Sequence, residues 1–176
     1  VYVAGFTEGA LPGQLSSGDR DVFIRKYDGS GNEIWTRQFG SPEVDEAWGV
    51  VVDSWGNVYV AGDTFGALPG QLSSGDRDVF IRKYDGLGNE IWTRQFGSSS
   101  EDCPMRAVLD ASGNVYVTGW TLGALPGQTY SGSYDAFVRK YDGSGNEIWT
   151  RQFGTSAQDE ANHMALDASG NVYVIG

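Results

Sequence analysis

Lys26-Tyr27-Asp28-Gly29-Ser30-Gly31-Asn32-Glu33-Ile34-Trp35-Thr36-Arg37-Gln38-Phe39-Gly40 recurs at Lys83–Gly97 with Leu87 in place of Ser30, and again unchanged at Lys140–Gly154. Each copy reads as the end of a strand, a turn whose Gly and Asn residues tolerate positive φ, and a returning strand with Trp35, Arg37 and Phe39 on one face. The copies stand 57 residues apart, so the chain is a tandem array of one supersecondary unit. Three units run 1–57, 58–114 and 115–171, and Val172–Gly176 begins a fourth. Both ends fall inside the repeated pattern, at a Val-Tyr-Val run, which leads us to expect a longer parent array.

Working outward from that stretch, Asp21–Asp28 precedes the turn as a strand with Phe23, Arg25 and Tyr27 on one face and Val22, Ile24 and Lys26 on the other. Apolar residues on both faces imply a sheet covered on both sides. Before it, Val1-Tyr2-Val3-Ala4-Gly5 reads as a β-branched and aromatic strand. Residues 6–20 are rich in Gly, Ser and Pro and read as a long loop, in which the repeated Ala-Leu-Pro-Gly-Gln predicts that Leu11 and Pro12 tuck against the sheet. After Gly40 comes the one segment that differs strongly between copies. It reads Glu46–Asp53, Cys103–Asp110 and Glu160–Asp167, each followed by an Asp-x-x-Gly-Asn turn into the next Val-Tyr-Val.

Four strands per unit with no 3.6-residue period predict an all-β fold of four-stranded antiparallel sheets repeating every 57 residues. Such sheets bury both faces by stacking on their copies, and radial stacking removes long edges. The fold is therefore a β-propeller, here partial or completed by an oligomer. A β-sandwich is the rival, but it would set unlike neighbours against like sequences.

The patterns Tyr-Asp-x-x-Gly-Asn-Glu-Ile-Trp-Thr-Arg-Gln-Phe-Gly, Asp-x-x-Gly-Asn-Val-Tyr-Val-x-Gly-x-Thr, Leu-Pro-Gly-Gln and Asp-x-Phe-x-Arg-Lys-Tyr-Asp together resemble the bacterial and archaeal SBBP-type β-propeller repeat family. The resemblance spans the whole chain. It implies an inner strand at 46–53, followed outward by 57–62, 78–85 and 90–96, and an extracellular or cell-surface location. A second likeness, to the tryptophan-docking motif of quinoprotein dehydrogenase propellers, implies that Trp35, Trp92 and Trp149 wedge between blades; the quinone- and metal-binding residues of those enzymes have no counterpart here.

The chain has a formal net charge of -11, which argues against nucleic acid or an anionic membrane as partner. No run of about 18 apolar residues provides for membrane insertion as a helix. Cys103 is the sole cysteine and His163 the sole histidine, so neither an internal disulfide nor a histidine-based metal cluster or triad can form. An acidic chain can hold Ca²⁺, but the Asp28, Asn32, Glu33 spacing is too short for an EF-hand loop and reads as turn chemistry, so no cofactor is expected. Adjacent pairs such as Asp45-Glu46 point to opposite faces of a strand and make no glycosidase pair.

The residues that vary while the scaffold stays constant are Trp48, Gly49, Met105, Arg106, Asn162 and His163 on the inner strand, and these are the candidate ligand or partner surface. The leading expectation is a non-catalytic extracellular structural and interaction module that meets other copies or further repeats through exposed strand edges at Val1 and Val172. The alternative is glycan binding, with Trp48, Trp55, Trp120, Tyr130 and Tyr134 as stacking platforms. An enzyme of the quinoprotein or polysaccharide lyase kind rests on fold analogy alone.

Overall fold

The computed structural model describes residues 1–176 as thirteen strands and no helix. In chain order these are β1 (Tyr2–Thr7), β2 (Asp21–Tyr27), β3 (Glu33–Phe39), β4 (Asp45–Val52), β5 (Val58–Thr64), β6 (Asp78–Tyr84), β7 (Glu90–Phe96), β8 (Asp102–Leu109), β9 (Val115–Thr121), β10 (Asp135–Tyr141), β11 (Glu147–Phe153), β12 (His163–Leu166) and β13 (Val172–Ile175). They form four antiparallel sheets, ordered β1-β2-β3, β4-β5-β6-β7, β8-β9-β10-β11 and β12-β13. The middle two are complete four-stranded blades. The first has the second, third and fourth strands of a blade, and the last has the first and second.

Each strand connection has a local cause. In the Asp28–Asn32 turn, Asp28 Oδ1 accepts hydrogen bonds from the backbone N–H groups of Ser30 (2.8 Å) and Asn32 (2.9 Å), and Oδ2 accepts from Asn32 Nδ2 (2.9 Å). Gly31, at φ 85°, supplies the left-handed residue that closes it. The same arrangement recurs at Asp85 and Asp142, and at the inner turns headed by Asp53, Asp110 and Asp167. These bonds hold Asp28, Asp85, Asp142 and Asp167 below the usual carboxylate range, the Asn side chain contributing most.

The long loop is strapped to the outer strand by glutamines. Gln38 accepts from the Leu11 N–H through Oε1 (2.9 Å) and donates through Nε2 to Gly9 O (3.1 Å) and Asp21 Oδ2 (2.7 Å), while its own N–H donates to Gln14 Oε1 (3.0 Å). Gln95 with Gln71 and Gln152 with Gln128 repeat the clasp. Leu68 and Leu125 are buried, which accounts for the repeated Leu. Pro12, Pro69 and Pro126 are exposed, against the expectation that the proline tucks inward with its neighbour. The proline instead leads into Gly13, Gly70 and Gly127, all at positive φ, so its fixed φ serves the turn rather than the core.

Between blades lie two continuous apolar layers. Val22, Ile24, Trp35 and Phe39 of the first sheet face Val58, Val60, Phe80 and Tyr84 of the second. Tyr59, Ala61, Val79, Ile81, Trp92 and Phe96 of the second face Val115, Val117, Phe137 and Tyr141 of the third. A smaller layer of Tyr116, Val138 and Met164 joins the third sheet to the fourth. Cohesion comes from neighbours, since burying a side chain of this size is worth about 1.5–3 kcal/mol and most of the burial is between sheets.

Candidate functional site

The most elaborate chemistry in the molecule is at the blade junctions. Trp35 leaves β3 and lays its ring on the Asp85–Gly88 turn of the next blade, where Nε1 donates to Gly86 O (3.2 Å). Lys26 Nζ donates to the same carbonyl (2.8 Å), and Arg37 Nε donates to Gly88 O (2.7 Å). At the second junction Trp92 and Lys83 hold Gly143 O at 3.2 and 2.8 Å, and Arg94 holds Gly145 O at 2.7 Å. A β-carbon on Gly88 would lie 2.9 Å from Trp35 Cδ2, and one on Gly145 2.8 Å from Trp92 Cδ2. Glycine at the fourth turn position is thus required both by φ and by the indole above it. Trp35 and Trp92 are 8% and 7% exposed.

Arginines complete the junctions from the other side. Arg82 sits 3.7 Å from the centre of the Phe39 ring and Arg139 4.0 Å from that of Phe96, each also donating through Nε to a threonine (Thr93, Thr150) of its own blade at 2.7 Å. Desolvation pushes Lys83 below the ordinary lysine range. Trp149 packs on Tyr116 with ring centres 6.0 Å apart and is half-buried.

The variable inner-strand residues divide into two groups. Trp48 and Met105 are the extra residues of β-bulges, which break the register between Ala47 and Gly49 and between Pro104 and Arg106. With Gly49 and Arg106 they line one groove of about 150 Å³ between β4 and β8. Trp48 is 51% exposed, and its Nε1 donates to Asp63 Oδ2 (2.8 Å). Asn162 and His163 lie apart from that groove. Asn162 uses its backbone N–H to reach Ile175 O (2.9 Å), and His163 shares an exposed face of the last sheet with Ala165, Tyr173 and Ile175.

A cluster that the repeat comparison passed over surrounds Asp63. Its carboxylate is buried, pairs with Arg77 and holds Trp48, and the thiol of Cys103 lies 3.7 Å from it. Desolvation raises Asp63 despite Arg77 beside it, and raises the Cys103 thiol to about 12, which leaves that sulfur unreactive. The guanidinium of Arg77 also lies 5.4 Å from the Phe65 ring centre and 6.0 Å from that of Trp120. The signal was present in the sequence: Phe6 and Glu8 become Asp63 and Phe65 in the second copy, two of the few changes outside the inner strand. In the first copy Arg20 pairs instead with Glu46 (2.6 Å) and Glu8 (3.2 Å).

No three metal-ligating side chains converge anywhere in the molecule. The turn aspartates accept hydrogen bonds from the backbone and the asparagine side chain of their own turns, as described above. A cavity of about 590 Å³ opens between the third and fourth sheets, lined by Asp110, Tyr116, Lys140, Asp167 and Gly170 among others.

Comparison with known proteins places a β-propeller repeat, SBBP, at residues 34–68 and 148–176. The chain is 31% identical over 174 residues to the regulatory protein FlaEY of Caulobacter vibrioides, covering 90% of this chain and 18% of that one. It is 25% identical over 183 residues to an uncharacterized WD repeat-containing protein, L264, of Acanthamoeba polyphaga mimivirus, covering 86% of this chain and 13% of that protein. The chain therefore spans less than a fifth of the length of either relative.

Proposed function

From the premise that this chain is built of SBBP-type β-propeller repeats, we propose that it is a non-catalytic interaction module, working outside the cell or on its surface, that associates with further repeats or with other copies of itself. The observation that carries this reading is where its reactive side chains are used. Tryptophan, lysine, arginine, aspartate and glutamine serve turns, loop clasps and blade junctions, and most of the residues that differ between the first two copies lie on or beside the inner strands. The likeness to a protein named as regulatory agrees with a role in binding rather than turnover. Light scattering tests association: a chain that stays monomeric at millimolar concentration rules it out. Protease accessibility of the full-length protein on intact cells tests the location.

A second reading, a glycan-binding surface, is favoured by Trp48. Its indole is half exposed yet fixed by Asp63, and Arg106, exposed and without an ion-pair partner, stands in the same groove. A rigid aromatic face beside a free guanidinium suits a sugar ring bearing a carboxylate. A glycan array on which Trp48→Ala binds as the parent chain does, or on which neither binds, excludes it.

A further inference from the structure

Four glycines stand inside strands, and three of them have a duty that the fold explains. A β-carbon on Gly5 would lie 3.2 Å from Phe23 Cε1, one on Gly62 2.6 Å from Phe80 Cε1, and one on Gly119 2.9 Å from Pro104 Cα. Gly49, in β4, has no such neighbour. A β-carbon there would meet nothing within 4 Å, and its φ lies outside the left-handed region that favours glycine. Glycine in a strand interior weakens the strand, because it has no side chain to pack and more freedom to lose on folding. No contact within the chain offsets that loss at Gly49.

The bulge beside it is not the reason. Met105 forms the same bulge in β8, and there the next residue is Arg106. A mid-strand glycine that the fold does not require marks a close approach from outside the chain. The space it leaves belongs to the groove between β4 and β8, the inner strands of the two complete blades, with Trp48 on one strand and Arg106 on the other. The Trp48 indole is fixed, since Nε1 donates to Asp63 Oδ2 at 2.8 Å and Arg77 pairs with the same carboxylate. Arg106 is the sole charged residue lining the groove. At about 150 Å³ the groove takes one ring rather than a run of them.

Resting on the reading of this groove as a glycan-binding surface, we infer that Gly49 is its specificity-determining residue, leaving the place where one uronate ring lies against the Trp48 indole with its carboxylate on Arg106. The apolar C–H face of the ring covers the indole, and the guanidinium donates to the carboxylate. The net charge of -11 repels a polyanion, so the ligand is a largely neutral glycan with isolated uronate residues rather than a polyuronate. Arg106 and His163 hold the position of Gly49 in the other copies, and a side chain of that size at 49 would fill the space. The groove therefore exists where an inner strand bearing glycine is followed by one bearing arginine.

The test titrates the chain with the methyl glycoside of glucuronic acid and follows the Trp48 indole N–H by NMR, assigned through Trp48→Phe, with the same proteins screened on a glycan array. Gly49→Val is the decisive variant, because valine suits a strand and finds open space there; Gly49→Ala replaces it should the valine variant not fold. The expected result is a melting temperature equal to or above the parent's, with glucuronide binding weakened by about tenfold or more. Arg106→Gln is expected to abolish the preference for the glucuronide over the methyl glycoside of glucose, and trigalacturonate to bind the parent no more tightly than the glucuronide. A parent chain that binds nothing in the titration or on the array overturns the glycan reading and this inference with it. A binding parent whose Gly49→Val variant binds equally well, or melts below the parent, overturns the role of Gly49 alone. A glucoside bound as tightly as the glucuronide, or trigalacturonate bound more tightly, overturns the isolated uronate as the ligand.

Discussion

Gly31 and Gly88 hold the same place in the repeat at φ 85° and 80°, yet only Gly88 has a tryptophan over it. Substituting alanine at either costs about 1–2 kcal/mol for the left-handed backbone, and at Gly88 the added carbon must also displace Trp35. Gly88→Ala is therefore expected to destabilise the chain by roughly 2 kcal/mol more than Gly31→Ala, measured by urea unfolding; equal losses would mean that the turn and indole are not in contact. At this scale the sequence is most transparent where one residue has one local duty. Asp28, Asn32 and Gly31 could be read as a turn because their partners lie within four residues. Asp63 could not, since Arg77, Trp48 and Cys103 reach it from three different strands or loops and only one copy contains the set.

Among elements, the blade is the unit and its outer strand is what fastens it. Trp92→Ala removes a buried ring and its hydrogen bond from the middle junction and is expected to cost about 3–5 kcal/mol, whereas Trp149→Ala, on a half-buried ring without an acceptor, is expected to cost under about 2 kcal/mol in the monomer. Thermal unfolding of the two variants at low concentration checks the order, and a larger loss at Trp149 would contradict the packing described. The strand order within a blade was legible from alternation and turn residues, because every pairing joins strands adjacent in the chain. The bulges at Trp48 and Met105 were not, since a bulge is set by how β4 and β8 meet their neighbours rather than by either residue. Trp48 and Arg106 share a groove that His163 does not line, although the repeat alignment alone would have grouped the three together.

For the whole molecule, acidity has two opposite effects on stability. The turn aspartates titrate below their unfolded value, so their contribution is present at neutral pH and is lost as pH falls below about 4. Asp45 and Asp102, buried and shifted upward to about 6 chiefly by desolvation, act in the other sense. They favour the fold while protonated, and that advantage disappears as pH rises from about 4 to 6, at up to about 3 kcal/mol each. The melting temperature is expected to fall between about pH 4.5 and pH 6.5, and Asp102→Asn to flatten the fall; a melting temperature that rises across the window would contradict the burial of these two acids.

Trp35 and Trp92 each fasten to the outer turn of the next blade, and the two turns that receive them have the same shape. Excising or inserting one whole 57-residue unit would leave tryptophan–turn fastenings of this kind at the junctions on either side. Such a protein can change its number of blades in a single genetic event without passing through an unstable intermediate, and its stability should rise by a constant increment per blade gained.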